Sequence, residues 1–513
     1  MQDCVLPPQR WWTPLLVWSI VLLAVFFQLG KRALNEPDEG RYAEIGREML
    51  ATGDWLTPRL NGIPHLSKPP LTYWCVAASL GLFGINEFAA RLPSALAAIG
   101  TLTALYAMVR SASNQRSALW AVVMLTTSGM FFLTARLITA DMLLTCWVCW
   151  SVWTLWQGSN WLFVFLALGF LTKGPGALLL PLFAGIGLRP RLKQFHWGRG
   201  ILVFTAITAP WFVAVTIQNP GLWHYFVVRE IFQRVATTEH GRVEPWWFLI
   251  LATLGGFLPW TFVAVGQLPR AGAARMFGTW LGLGLAFFTL SQSKLPTYAL
   301  PLMPAMAALA ATAPPRPWHR PATAIALVVA LGLALYYLRT RCDFPAASAI
   351  ALATIAGCGA ICTLVRIEAA AITFLVVVLG VISALPKIER QLRHNTSAKF
   401  FAERILREDP QRQALVICHV TFPRGLPFYL QSPVWWYNPA ATNRAGVFEF
   451  DHPAPGAPFV VTDHTCYLQM LTGTQRVFCI ARADAAQTIK SLTGMTWHEL
   501  ERTGKGVLLS NKP

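Results

Sequence analysis

Charge is scarce in this chain. Asp, Glu, Lys and Arg make up 13% of its 513 residues against 55% hydrophobic, and apolar stretches of about 18 residues recur along it, the length that crosses a bilayer as a helix. That composition excludes a soluble multidomain protein and points to a polytopic helical membrane protein. Negative charge is scarcer still, with 24 Asp and Glu against 42 Lys and Arg and a net charge of +18. In a soluble protein such an excess would suggest nucleic acid. Here much of it sits in short loops between apolar runs, where it sets orientation and meets anionic headgroups, so nucleic acid is not an expected partner. The ten cysteines lack any metal-site or disulfide-framework spacing, and the C-x-x-C of Cys146 and Cys149 lies inside an apolar helix, where it reads as two small buried hydrophobes. Also missing are an internal repeat of the kind that builds transporters from inverted halves, a lipidation signal, and a small-residue cleavage site behind the first apolar run. That run, from about Thr13 to Gly30, is longer than a signal-peptide core and reads as an uncleaved first span.

What is present is hydrophobic patterning. Apolar windows place spans near 13–30, 92–110, 117–134, 137–157, 161–172, 175–188, 199–217, 246–268, 275–292, 297–313, 321–338, 346–365 and 369–386, about 13 in all. Arg110 and Arg116, then Arg189, Arg191, Lys193 and Arg199, then Arg270 and Arg275, then Arg316 and Arg320, then Arg366 fill alternate short loops with almost no carboxylates. The positive-inside rule makes those loops and the N-terminus cytoplasmic. An odd number of spans then puts the outer loops 31–91 and 218–245 and the tail on the opposite side. Two units are expected: a transmembrane unit, 1–386, and a tail, 387–513. In the tail the short apolar runs "ALVICHV" and "FVVTDH" alternate with polar helical stretches and Pro-rich turns such as "DHPAPGAP", which reads as a small α/β domain.

The chemistry-bearing residues fall on the outward side. Behind the first span stands "NEPDEGRYAEIGREML", Asn35 to Leu50, with Pro37 suited to a first helical turn and Glu39, Tyr42, Ile45 and Met49 at helical spacing. It reads as an amphipathic helix on the outer membrane face, starting with Asp38 and Glu39 where a carboxylate can meet a reacting group. The same loop continues to Lys68, followed by two prolines that stiffen the backbone and by interfacial aromatics, a phosphate ligand or a headgroup-snorkelling lysine. Short loops add Arg136 and Asp141 in "TARLITADML", Lys173 in "LTKGPGALLLP", and Lys294 and Tyr298 in "LSQSKLPTYALPLMP". Ionisable groups at membrane depth are expensive, so they pair or bind something; an Arg136–Asp141 bridge that only packs helices is the plain alternative. The second long loop supplies Arg229, Glu230, Arg234, Glu239 and His240. Four cations from separate loops, Lys68, Arg136, Lys173 and Arg234, are placed to converge on an anion, and phosphate is the anion most available at a bilayer surface.

Taken in order, D-E-x-R-Y-A-E from Asp38, K-P-P from Lys68, R-x-x-x-x-D from Arg136, T-K-G-P from Thr172 and S-K-L-P-x-Y-x-L-P from Ser293 resemble the aminoarabinose transferase (ArnT) family. These are bacterial relatives of protein O-mannosyltransferases with the GT-C fold. The likeness covers roughly residues 10–310; the tail matches in size and placement only. It implies a polyprenyl-phosphate-linked sugar donor and, in the type activity, transfer of 4-amino-4-deoxy-L-arabinose from undecaprenyl phosphate to lipid A phosphates. By the resemblance Asp38 is the catalytic-region aspartate, with Glu39, Arg41 and Tyr42 completing its motif. Lys68 matches the lysine that holds the lipid phosphate, Arg234 and Tyr298 look like further members of that pocket, and Asp141 and Lys173 match motif positions near the same cavity. Many relatives carry Glu immediately before the K-P lysine and His three residues before the second-loop arginine, positions that contribute to a metal site; this chain has Ser67 and Ile231. No essential metal, zinc included, is therefore expected.

Glycosyl transfer from a lipid phosphate needs the leaving phosphate stabilised, a role for Lys68 and Arg234. A phosphate acceptor is already anionic and needs no strong base, leaving Asp38 to orient the donor or stabilise charge on the ring; with a hydroxyl acceptor Asp38 would take a proton. The motifs do not read the sugar, so a hexosamine or mannose donor, or a glycan or protein acceptor, stays open. A flippase for lipid-linked sugars would instead spread polar residues through the midplane in paired halves.

Overall fold

The computed structural model describes residues 12–227, 244–264, 272–312, 314, 316–341, 344–389, 397–439, 450, 453, 456–504 and 506–513. Helix α1 is Thr13–Phe26 and α2 is Asp38–Thr52; a two-stranded ribbon (β1, Arg59–Leu60; β2, Ile63–Pro64) leads to α3, Leu71–Phe83. There follow α4 (Glu87–Ala112), α5 (Gln115–Thr126), α6 (Gly129–Thr134), α7 (Ala140–Gln157), α8 (Trp161–Lys173), α9 (Gly176–Ile186) and α10 (Trp197–Gln218). Six helices among the described residues are long and apolar enough to cross a membrane alone: α4, α10, Gly272–Leu290, His319–Thr340, Ala346–Val365 and Glu368–Pro386.

Three of the expected spans are broken, each for a local reason. Between α5 and α6 the hydroxyls of Thr126, Thr127 and Ser128 donate to the carbonyls of Val122, Val123 and Leu125, competing with the backbone ladder. The run 246–268 contains two helices, Phe248–Gly256 and Thr261–Ala264, parted around Pro259, which has no N–H to give. The run 297–313 opens as a 3-10 turn, Pro296–Leu302, with prolines at both 296 and 301, before Met303–Thr312. An apolar helix that the span pattern omits, α3, lies inside the first long loop.

Helix α2 departs furthest from expectation. Its first turn carries Asp38 and Glu39 where negative charge suits the positive helix end, and Gly53, at φ 71°, ends it in the left-handed conformation that favours glycine. It is not, however, a surface helix with one wet face. Every residue from Tyr42 to Met49 is buried, as are Glu39 and Gly40, because α3 covers one side and the tail another. Its charges are accordingly paired: Arg47 Nε and Nη2 each donate to the Glu44 carboxylate at 2.7 Å, and Glu48 accepts from the Gly62 N–H at 2.9 Å.

The tail carries a six-stranded mixed sheet in the order β5-β4-β3-β6-β8-β7, built from β3 (Leu415–His419), β4 (Trp435–Tyr437), β5 (Val460–Val461), β6 (Val477–Arg482), β7 (His498–Thr503) and β8 (Gly506–Ser510). Strands β3 to β6 are mutually parallel where they pair, and β8 runs antiparallel to β6 and β7. One face, with Cys418, Phe428, Trp436 and Ile480, shares a core with Tyr42 and Ile45 of α2 and Tyr73 of α3. The other, with Ile417, Cys479 and Val507, lies under helices His464–Thr472 and Ala486–Thr493. In register, Ile417 faces Cys479 and Cys418 faces Ile480, so Cys418 and Cys479 point to opposite sides of the sheet and do not bridge. With Cys466 exposed, all three tail cysteines that the sequence offers for a disulfide are free.

Candidate active site

Antiparallel packing brings separate motifs to one place. Asp141 lies in the first turn of α7, behind the Thr139 side chain that caps the Met142 N–H, and Lys173 is the last residue of α8. Because the two helices run antiparallel about the turn at Gly158, φ 71°, these residues meet at the same end, and Lys173 Nζ donates to Asp141 Oδ1. Tyr298, in the 3-10 turn, slides its ring beneath the same ammonium, 4.6 Å from Nζ to the centroid, a cation–π contact. Lys68 arrives from the other side. Pro69 and Pro70 hold it just before α3, and its Nζ donates to the Ser67 carbonyl at 2.7 Å.

These side chains border a cavity of about 540 Å³, in the usual range for a small-molecule or cofactor site. Its walls are largely aromatic, with Phe170, Phe204, Phe212, Phe226, Phe287 and Phe288; Lys68, Asp141, Lys173, Ser67, Ser293 and Tyr298 supply the polar atoms. Two cations against one carboxylate leave net positive charge inside an apolar slot, which suits an anionic headgroup on a long hydrocarbon.

His65 organises the near edge. Its Nδ1 accepts from the Phe450 N–H at 3.1 Å, so Nε2 carries the proton and donates to Ser67 Oγ, 2.9 Å away. Burial, and then the charges of Arg41, Arg424 and Lys68, push the His65 pKa well below its ordinary 6.5. The ring stays neutral, and the Ser67 hydroxyl keeps its own proton to donate. In the window below pH 6.5 the unfolded chain takes up a proton that the folded ring refuses, so stability contributed by His65 is lost as pH falls. Replacing His65 by Gln is expected to destabilise the protein, with a penalty that shrinks between pH 7.5 and 5.5. Chemical unfolding of both proteins at the two pH values measures this; a penalty independent of pH would mean that the ring titrates alike in the folded and unfolded chain, and one that grows as pH falls would mean that the fold holds it protonated.

Several residues singled out in the sequence turn elsewhere. Glu39 does not face the cavity: its carboxylate takes paired bonds of 2.8 Å from Arg91 Nε and Nη2 and also the Asn35 and Ile138 N–H groups. Burial alone would raise its pKa, but the Arg91 charge and these bonds hold it below the ordinary 4.5, an acid locked in the scaffold. Arg136 joins neither the converging cations nor Asp141. Its guanidinium caps α1, donating to the carbonyls of Ala24, Val25 and Phe27, orphan acceptors at a helix end. Tyr42 is buried and stacks on Tyr73 with centroids 5.3 Å apart, so its ring is packing rather than cavity wall. Lys294 is buried, and its neighbour Ser293, not Lys294, lines the cavity. Asp38 remains exposed, bonds Arg41 Nη2 at 2.5 Å and does not line the cavity. Arg234 and Ile231, with Arg229, Glu230, Glu239 and His240 of the second long loop, lie outside the described residues. Among the described residues no three His, Cys, Asp or Glu side chains group as metal ligands.

Over 97% of its length the chain superposes on 98% of the crystal structure of ArnT from Cupriavidus metallidurans bound to undecaprenyl phosphate, with a TM-score of 0.81 at 23% identity, and the apo form of that protein matches equally at 24% identity. The fold is thus the helical GT-C architecture of membrane glycosyltransferases. In sequence, residues 67–214 match the family model of dolichyl-phosphate-mannose-protein mannosyltransferases. The chain is 34% identical over 325 residues to an undecaprenyl phosphate-alpha-4-amino-4-deoxy-L-arabinose arabinosyl transferase of Pseudomonas fluorescens, an alignment covering 59% of each. It is 33% identical over 305 residues to the transferase of the same name from Erwinia tasmaniensis, covering 55% of each. The chain therefore matches somewhat under three-fifths of the length of these relatives, and the resemblance to the aminoarabinose transferases read from the motifs rests on sequence as well as fold.

Proposed function

We propose that this chain is a polyprenyl-phosphate-dependent glycosyltransferase that moves 4-amino-4-deoxy-L-arabinose from undecaprenyl phosphate to lipid A phosphate groups. The observation that carries the reading is the aromatic cavity closed by Lys68 and by Lys173 over Tyr298, in a chain whose relatives bear that activity in their names. The donor's hydrocarbon lies along the phenylalanine walls and its phosphate meets the two lysines. As the bond from the anomeric carbon to that phosphate oxygen breaks, charge grows on the departing oxygen next to low-dielectric surroundings, where a positioned cation is most effective. The acceptor phosphate oxygen forms the new bond without surrendering a proton. Asp38, which is exposed, orients the donor sugar through its amine. Arg234 completes the phosphate pocket in this reading, and no step passes through a metal. In this reading the protein lies in the bacterial inner membrane with its N-terminus in the cytoplasm and the two long loops and the tail in the periplasm, an orientation supported by the cation-rich short loops.

Mass spectrometry of lipid A from cells with and without the gene tests the proposal. A gene-dependent gain of one pentosamine on a phosphate is expected. A hexosamine-sized gain would keep the chemistry and replace the donor, and unchanged lipid A under inducing conditions would overturn the acceptor.

A further inference from the structure

A second group of charges lies away from the donor cavity. Helices His319–Thr340 and Ala346–Val365 pack as a hairpin and Glu368–Pro386 turns back from the second, so the start of the first, the end of the second and the start of the third share one end of the bundle. There Arg320, Val365, Arg366, Ile367 and Glu368 line an open depression of about 490 Å³. Arg320 comes from the first turn of one helix, and Arg366 from the tight turn between the other two. Arg320, Arg366 and Glu368 are all exposed, and among the described residues none of these side chains has an ion-pair or hydrogen-bond partner. Glu368 opens its own helix, where negative charge suits the positive helix end. Two guanidiniums against one carboxylate therefore surround a hollow that no side chain fills. Within about two turns of Arg366, the side chains of Ile361, Leu364, Val365 and Ile372 are exposed as well, an apolar surface next to the charges.

We propose that Arg320 and Arg366 bind the phosphate of one anionic phospholipid, whose acyl chains lie on that apolar surface. The site holds a structural lipid and is independent of which sugar is transferred. Cation-rich loops meet headgroups in passing wherever they face a bilayer. What differs here is a concavity supplied with guanidiniums from two separate turns. Planar guanidinium forks grip phosphate oxygens in pairs, and basic pockets between spanning helices suit phosphate headgroups. A free phosphate would use the arginines alone, whereas the exposed apolar side chains beside them suit a ligand with hydrocarbon attached. Bound there, the lipid ties the starts of two helices together.

The test titrates the full-length protein in detergent with phosphatidylglycerol or phosphatidylcholine and counts bound lipid by native mass spectrometry. Phosphatidylglycerol is expected to bind about tenfold more tightly than phosphatidylcholine, and Arg320→Gln combined with Arg366→Gln is expected to abolish that preference. Both side chains are exposed and unpartnered among the described residues, so the unfolding midpoint in phosphatidylcholine stays unchanged. Two further variants separate the pocket from surface charge in general. Arg110→Gln combined with Arg116→Gln removes two cations from another short loop and leaves the preference intact. Glu368→Gln takes away the carboxylate and raises the preference about fivefold. The proposal is overturned by an equal loss in the Arg110 and Arg116 variant, by a preference that survives without Arg320 and Arg366, or by no gain with Glu368→Gln. Inorganic phosphate at the same concentration is expected to leave phosphatidylglycerol bound; displacement would make this an ion site and overturn the lipid assignment.

Discussion

Lys68→Ala is expected to lower kcat for sugar transfer by about 10²–10³-fold with little change in the unfolding midpoint. Lys68 borders the cavity on stiff backbone, between Ser67 and two prolines, and its Nζ donates to the Ser67 carbonyl. Removing it therefore takes away charge at the donor phosphate without opening a core. Its surroundings amplify the effect: beside largely apolar walls a charge interaction is screened less than in water. Lys173→Ala is a different experiment, because it also strands Asp141, its carboxylate partner, inside the cavity. Single-turnover kinetics with preloaded donor separates chemistry from binding; a Lys68→Ala protein with wild-type single-turnover rate would remove this lysine from the reaction.

Arg91→Met carries the largest expected loss of stability, about 3–5 kcal/mol. Arg91 is 2% exposed and Glu39 3%. The guanidinium also donates to the carbonyls of Leu29, Arg32 and Ala33, fixing the chain where it leaves α1 and turns into α2. Taking it away leaves a buried carboxylate with no countercharge. Because the folded pKa of Glu39 is lowered, the pair's stabilisation is fully present above the ordinary carboxylate value and is lost only as pH falls through that lower folded value. Adding Glu39→Met to Arg91→Met is expected to recover part of the loss, since it removes the stranded charge while the three carbonyls stay unsatisfied. Denaturant unfolding of the three proteins checks this, and a double variant no more stable than the single one would shift the weight from the ion pair to the carbonyls.

These two residues also show what the sequence makes legible. Lys68 in the first long loop, and Asp141, Lys173 and Tyr298 in short loops between apolar runs, are legible because polar groups at such places are costly unless they bind something; Lys68 and Lys173 also stand directly before Pro or Gly. Arg91 and Arg136 follow the same composition rule but satisfy backbone carbonyls, and nothing in their neighbours distinguishes the two uses. Glu39 adjoins Asp38 in the same turn and faces the opposite way, a difference of helical phase visible only once α2 is known to be covered on both sides. The burial of α2 was unreadable for that reason: its partner strands lie in the tail, far along the chain. His65 and Ser67 had a faint local signal, two polar side chains just before Lys68, whereas the approach of Gly40 and Gly425 had none, because it joins distant segments. The broken spans follow from Ser, Thr and Pro clusters, but windowed hydropathy averages over them.

A clasp at Glu36, whose carboxylate accepts the N–H groups of Arg424 and Gly425, joins residues 388 and 389 positions apart, with Leu34 bonded to Tyr429 and Asn61 to Val434 around it. A ribosome makes the chain in order, so the helix that presents Asp38 is made long before the segment that covers it exists. The rim is completed by a segment that lies nearly 400 residues further along the chain. Under the proposed function a nascent molecule inserted among reactive donor lipids is idle by construction, and only a chain extended through that segment becomes competent.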